Sequence, residues 1–301
     1  MIFEIKFIFK NVYFQLNSPP SMITKFNLKI SLLFLILVHS NKICSQKILF
    51  DFSLSKTIEE TSGLEIVDDM FVTHNDSGGE ASLYYLSKKG EIKYKRKISS
   101  AKNKDWEDIT RDDKYIYIAD MGNNFNNRKD LKIYKIPIDK NNKEENQTIY
   151  FNYPEQDSFK INRNTIYDAE GLISIGKNLV VFTKNREKKI TELYLIPKKP
   201  GSYNAKKIGK LDVNSIVTGA DYNENYKMLA LTSTKKFNKY YLITINDFSL
   251  KKIDESSMNT YEIPIGKTQV EAIKIIDNNN FWITSEDEKS SKSARLLKLK
   301  L

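Results

Sequence analysis

The chain has 301 residues, of which 40% are hydrophobic and 29% charged, enough apolar content for a core and too much for a disordered chain. Its 48 Lys and Arg against 38 Asp and Glu give a net charge of +10, but the charge is spread thinly through turns without a basic stripe or binding motif, which argues against a nucleic-acid partner. Two histidines and one cysteine exclude most zinc sites, a disulfide framework and a Cys–His protease.

The first element along the chain is a targeting segment. From Met22, Lys25 and Lys29 form a basic start, residues 30–38 form an apolar run too short to span a bilayer comfortably, and a polar stretch ends near Gln46. Residues 1–46 therefore read as an upstream extension plus a signal peptide with Met22 as the true start, and residues 47–301 as an exported domain, periplasmic or secreted. A lipidated Cys44 would want a small residue before it, and Ile43 stands there. Cleavage would leave 43 basic and 37 acidic residues, a net charge of +6, His74 as the sole histidine and no cysteine. Such a domain is held by its core alone. It keeps no membrane span and is expected to be a monomer.

Beyond the leader the sequence repeats. Residues 61–76, 106–120, 169–185, 217–233 and 270–286 align as an apolar strand, a polar turn and a second strand with a polar end. A third, aliphatic-aromatic strand follows from Leu83, Leu131, Glu192, Tyr240 and Arg295, and runs 91–98, 147–153 and 206–213 supply a fourth. The key positions Ser62, Glu107, Glu170, Thr218 and Glu271 are separated by 45, 63, 48 and 53 residues. Four strands per unit without helical periodicity predict an all-β fold, a single β-propeller of five four-stranded blades. The fifth unit ends after three strands, and residues 47–55 alternate like a strand without a partner, so the N-terminal strand is expected to close the ring and remove an exposed edge. A sixth blade would require an irregular unit within residues 138–166. Glycine is scarce, 11 in all, so Asn, Asp, Ser and Lys must make the turns.

The phrases Ser62-Gly63-Leu64, His74-Asn75-Asp76-Ser77-Gly78-Gly79-Glu80, Asp105-Trp106-Glu107-Asp108, Asp120-Met121-Gly122-Asn123-Asn124 and Asp168-Ala169-Glu170-Gly171-Leu172 resemble exported bacterial β-propellers of the broad group that includes esterase-like phytase domains and SMP-30-type lactonases. The likeness covers the first three repeats well and the last two loosely. It implies the propeller fold and, in such lactonases and phytases, divalent metal at one mouth of the ring.

In a propeller the start of each innermost strand and the end of the second strand share one mouth, so polar residues there converge on a ligand pocket. The metal candidates are Glu107, Glu170 and Glu271, with calcium as the fitting hard cation. The ligand-contact candidates are His74, Asp76, Asp120, Arg128, Asp168, Lys184, Arg186 and Glu286. Arg128, Lys184 and Arg186 could instead neutralise the glutamates as an ion-pair network. His74 has the alternative role of packing at the blade edge and donating to a loop carbonyl, and Trp106 and Trp282 that of core residues between blades. The chain contains no Gly-x-Ser-x-Gly elbow, so a Ser-His-Asp hydrolase is not expected. Two functions fit: a binding module whose mouth holds a small molecule, glycan or protein, or a calcium-dependent hydrolase of a lactone or phosphoester, its anionic group received by Arg128, Lys184 and Arg186.

Overall fold

The computed structural model describes residues 46–301 except 140, 142–143, 236–238, 267 and 287–292. The expected extension and signal peptide lie, but for Gln46, outside the described residues. Five antiparallel blades account for the described chain. The leading strand is β1 (Lys47–Ser53). Blade 1 comprises β2 (Thr61–Val67), β3 (Met70–Asn75), β4 (Ser82–Leu86) and β5 (Ile92–Lys97). Blade 2 comprises β6 (Trp106–Arg111), β7 (Tyr115–Asp120), β8 (Lys132–Pro137) and β9 (Gln147–Asn152). Blade 3 runs β10 (Ala169–Ile175), β11 (Asn178–Thr183), β12 (Thr191–Pro197) and, after the short β13 (Gly201–Asn204), β14 (Lys206–Leu211). Blade 4 is β15 (Ile216–Asn223), β16 (Met228–Thr234), β17 (Tyr240–Ile245) and β18 (Met258–Glu262). Blade 5 has β19 (Val270–Ile275), β20 (Asn280–Ser285) and β21 (Arg295–Lys300), and β1 pairs antiparallel with β21 as its fourth strand. The N-terminal strand thus closes the ring, and Arg295 pairs with Asp51 across the closure. Among the described residues no sixth blade forms: residues 147–152 are the outer strand of blade 2.

Buried positions explain the strand order. The inner and second strands are buried on both faces, as in β3 and β16, whereas β5 alternates half-buried and exposed because only one of its faces meets a neighbour. Each pair of adjacent blades encloses its own apolar cluster. Tyr85, Trp106 and Ile116 fill the space between blades 1 and 2, Tyr153 and Tyr194 that between 2 and 3, and Phe182 and Leu229 that between 3 and 4. Leu242 and Phe281 join blades 4 and 5, and Phe71, Trp282 and Leu296 join blades 5 and 1. Each fully buried side chain of this kind contributes roughly 1.5–3 kcal/mol, so the ring is held by five interfaces of similar character. Strand β13 adds a parallel pairing with β9, tying blade 3's chain to the edge of blade 2. Asp68 and Asp69, with φ of +48° and +61°, make the two-residue β2–β3 turn in place of glycine.

Asp108 locks the axis. Its carboxylate accepts N–H groups from Ile109 (2.8 Å), Leu172 (2.8 Å) and Ala220 (3.3 Å), linking the inner strands of blades 2, 3 and 4, which do not otherwise share a sheet. Among the described residues no helix is long and apolar enough to cross a membrane.

Candidate functional site

All five inner strands carry a β-bulge at the same place, near their first residues. In blades 2 to 5 the extra residue is Glu107, Glu170, Thr218 or Glu271, and the equivalent stretch of blade 1 begins at Ser62. A bulge re-aims the side chain it carries, and here it turns the repeat's key position toward the axis. In blade 1 it uses Gly63, whose φ is +67° and whose missing Cβ leaves room for Ile109 and the His74 ring. The mouth is then fastened by one recurring backbone bond: the carbonyl just before the inner strand accepts the N–H just after the second strand. Glu60 accepts from Asp76 (2.8 Å), Asp168 from Lys184 (2.7 Å) and Gln269 from Glu286 (2.8 Å), while Asp105 accepts from Met121 and Gly122. Asp76, Lys184 and Glu286 are thereby brought to equivalent positions at one mouth.

Two groups of carboxylates meet there, sharing Glu107. Asp76, Asp105 and Glu107 each place an oxygen within 4.8 Å of the others, and so do Glu107, Asp168 and Glu170. The second group has counter-charges: Lys184 is paired with Glu170, and Arg186 lies 2.8 Å from Asp168 and also donates to Asn124. The first group has no ion pair among the described residues. Burial, reinforced by the carboxylates of Glu170, Asp105 and Glu286, pushes Asp76 up to about 8. Burial likewise lifts Asp105 to about 6 although Arg128 opposes it, and holds Glu107 well above the usual carboxyl range, with Glu170 and Asp76 adding to the effect. Lys184 stays protonated despite its burial because Glu170 and Asp168 surround it. Close approach of Glu107 and Asp105 depends on Gly122, since a Cβ there would overlap both carboxylates. A cavity of about 250 Å³ opens beside Asp105, lined by Ser77, Lys104, Asn123, Asn124, Phe125 and Arg128.

The remaining expected residues divide. Glu271 is buried at the same mouth but belongs to neither group: burial and the charge of Glu286 raise its pKa strongly, and Lys184 is its nearest counterweight. Arg128 does not neutralise the glutamates. It is committed to Asp120 at 2.7 Å, to Asp130 at 3.2 Å and to the Gly122 carbonyl. Asp120 is buried in that pair and holds the loop that carries Gly122 rather than opening on the mouth. His74 is fully buried, its Nδ1 lies 3.0 Å from the Asn75 carbonyl, its ring meets Trp106 edge-on, and burial lowers its pKa to about 4. Trp106 is core, donating its indole N–H to the Lys102 carbonyl. Asp105 was not singled out from sequence, although a signal existed: it stands two residues before Glu107, as Asp168 stands two before Glu170.

No protein-family model matches the chain, and no curated protein is similar to it in sequence. Solved structures similar over most of its length include a PQQ-bound aldose sugar dehydrogenase from Streptomyces coelicolor, with 11% identity, TM-score 0.46, and 85% of this chain and 98% of that one covered. Others are an inferred exported protein from Bacteroides fragilis (11%, TM-score 0.42, covering 87% and 96%) and a DUF4623 family protein from Bacteroides eggerthii (10%, TM-score 0.42, covering 85% and 74%). Likeness this distant carries no argument about ligand or chemistry, so the functional reading rests on the mouth itself.

Proposed function

We propose that the protein is an exported β-propeller binding module whose mouth holds a divalent hard cation, calcium by preference, between Asp76, Asp105 and Glu107, and presents it to a small oxygen-rich ligand such as a glycan. The observation that carries this reading is the division of the carboxylates: Lys184 and Arg186 serve Glu170 and Asp168, while Asp76, Asp105 and Glu107 lie close together without an ion pair among the described residues. Three such groups at ordinary pH are costly unless protonated or bridged by metal. Oxygen-only ligands with flexible geometry suit calcium, and the Gly122 cradle lets two of them converge on one point. The adjoining cavity, with Ser77, Asn123 and Asn124 on its wall, gives a ligand room beside the ion.

The alternative hydrolase reading asks Arg128, Lys184 and Arg186 to receive an anionic group. All three are already engaged with acidic or amide partners, which weighs for binding over turnover. Within the same proposal, the likeness of the first three repeats to the phytase and SMP-30 group and the leader expected at residues 1–46 support reading the chain as an exported propeller. Calorimetric titration of metal-free protein with calcium tests the reading. One site per chain is expected, competed by manganese more than by potassium; no binding heat for any divalent cation would overturn it.

A further inference from the structure

We propose that the opposite mouth of the ring is a second, independent binding site, for a small organic phosphate. The far ends of all five inner strands, at Glu65, Arg111, Ser174, Tyr222 and Lys274, open on a cavity of about 760 Å³ that extends outward over blades 2 and 3. That volume lies within the range of small-molecule pockets, roughly 300–1,000 Å³.

Its floor holds an ion cluster in which two carboxylates, Glu65 and Asp221, face two cations, Lys274 and Arg111. Lys274 donates to Glu65 at 2.7 Å and to Asp221 at 2.9 Å, and Asp221 also accepts the Ile275 N–H at 2.7 Å. On one wall Asp112 is taken by Lys198 (3.1 Å) and by the buried Tyr117 hydroxyl (2.8 Å). What remains is cationic. Lys114, Lys135, Lys177 and Lys199 line the cavity without an ion pair among the described residues, against the unpaired carboxylates of Asp113 and Glu224. Arg111 pairs through its Nε with Glu65 at 3.6 Å and donates to the Asp112 carbonyl, so it belongs to the floor and not to the free charge. Lys135 lies over the Tyr115 ring at 3.9 Å, and Tyr115 and Tyr222, half-buried, offer ring surface to the organic part of a ligand.

Several lysine point charges around this floor fit a dianion better than a monocarboxylate, because a phosphate has enough oxygens to take them together. The concavity selects a small ligand over a polymer. The two mouths therefore have opposite charge, and the phosphate site does not depend on the calcium reading.

The test is calorimetric titration of the purified protein at low ionic strength with phenyl phosphate, inorganic phosphate and phenol, each with calcium and with EDTA. Phenyl phosphate should bind more tightly than inorganic phosphate, phenol should not bind, and the affinity should be the same in calcium and EDTA. The double variant Lys177→Gln/Lys199→Gln, at exposed positions, should weaken phenyl phosphate at least tenfold, since hydrogen bonds to charged groups each contribute about a factor of ten or more, while leaving the calcium response intact. Absence of phenyl phosphate binding would overturn the proposal. So would full affinity in the double variant, or binding that requires calcium, which would seat the anion at the acidic mouth.

Discussion

Substituting Gly122→Ala probes the acidic mouth with one carbon. Gly122 does not need a positive φ, so alanine costs nothing in backbone strain; its Cβ would overlap Glu107 Oε1 and the Asp105 carboxylate. Both side chains must withdraw by roughly an ångström, and calcium ligands sit at about 2.3–2.6 Å with little tolerance for a shift of that size. Losing a ligand's placement should cost at least the roughly 10–100-fold seen when a residue that merely orients a ligand is changed. At calcium a hundredfold above the wild-type Kd, the ion stabilises the wild type by about 2.7 kcal/mol, and a tenfold weaker site retains only about 1.4 kcal/mol of that. Thermal melts with calcium and with EDTA measure the difference directly. In EDTA the variant should melt at or slightly above the wild type, because separating two buried carboxylates relieves repulsion. If Gly122→Ala keeps the full calcium-dependent shift, Glu107 and Asp105 do not share a ligand and the cradle argument is wrong.

Deleting Lys47–Ser53 should open blade 5: it removes the pairing with β21 and the Phe50–Phe52–Trp282 stacking, three aromatic pairs together contributing about 2–4 kcal/mol, so denaturant melts should show a lower midpoint and size-exclusion chromatography should show aggregates grown from the free edge. Asp108→Ala should destabilise by at least about 3 kcal/mol in urea, since it leaves three buried N–H donors unpaired at about 1 kcal/mol or more each. The mouth should also give a pH signature. Asp105 and Asp76 are raised from an ordinary 3.8 to about 6 and about 8, so in metal-free protein the stability they contribute is present below pH 3.8 and lost as pH rises through those values. Calcium needs the ionised forms, so its stabilising shift should grow between pH 5 and pH 9; a shift independent of pH would exclude these two carboxylates as ligands.

The parts of the fold legible in sequence were those with a local cause. Apolar alternation and regular spacing fixed the blades, and an unpartnered strand at residues 47–55 together with a three-stranded final unit foretold the closure. What escaped has a tertiary cause. Strand β18 (Met258–Glu262) is short and polar, exposed or half-buried throughout, and exists because the β17 edge is available; β13 pairs with another blade, which no local pattern signals. The same divide runs through the site. Repeat alignment placed Glu107, Glu170 and Glu271 at equivalent positions, yet only Glu107 and Glu170 share a carboxylate group, because separation across a ring depends on which blades are adjacent. Arg128 does line the cavity beside Asp105, but its charge is committed to Asp120, its buried partner. Asp105 lay one step outside the aligned window.

The central claim is that Asp76, Asp105 and Glu107 hold a divalent cation, and the most direct measurement is calcium titration of wild type beside Glu107→Gln. Glu170→Gln is a poorer probe because it strands Lys184. Glu107→Gln keeps the side-chain volume and removes the charge shared by both groups. The account predicts one calcium site in the wild type, lost in Glu107→Gln, with the variant folded and at least as stable as the wild type in EDTA. Equal calcium binding by both proteins, or by neither, would contradict it.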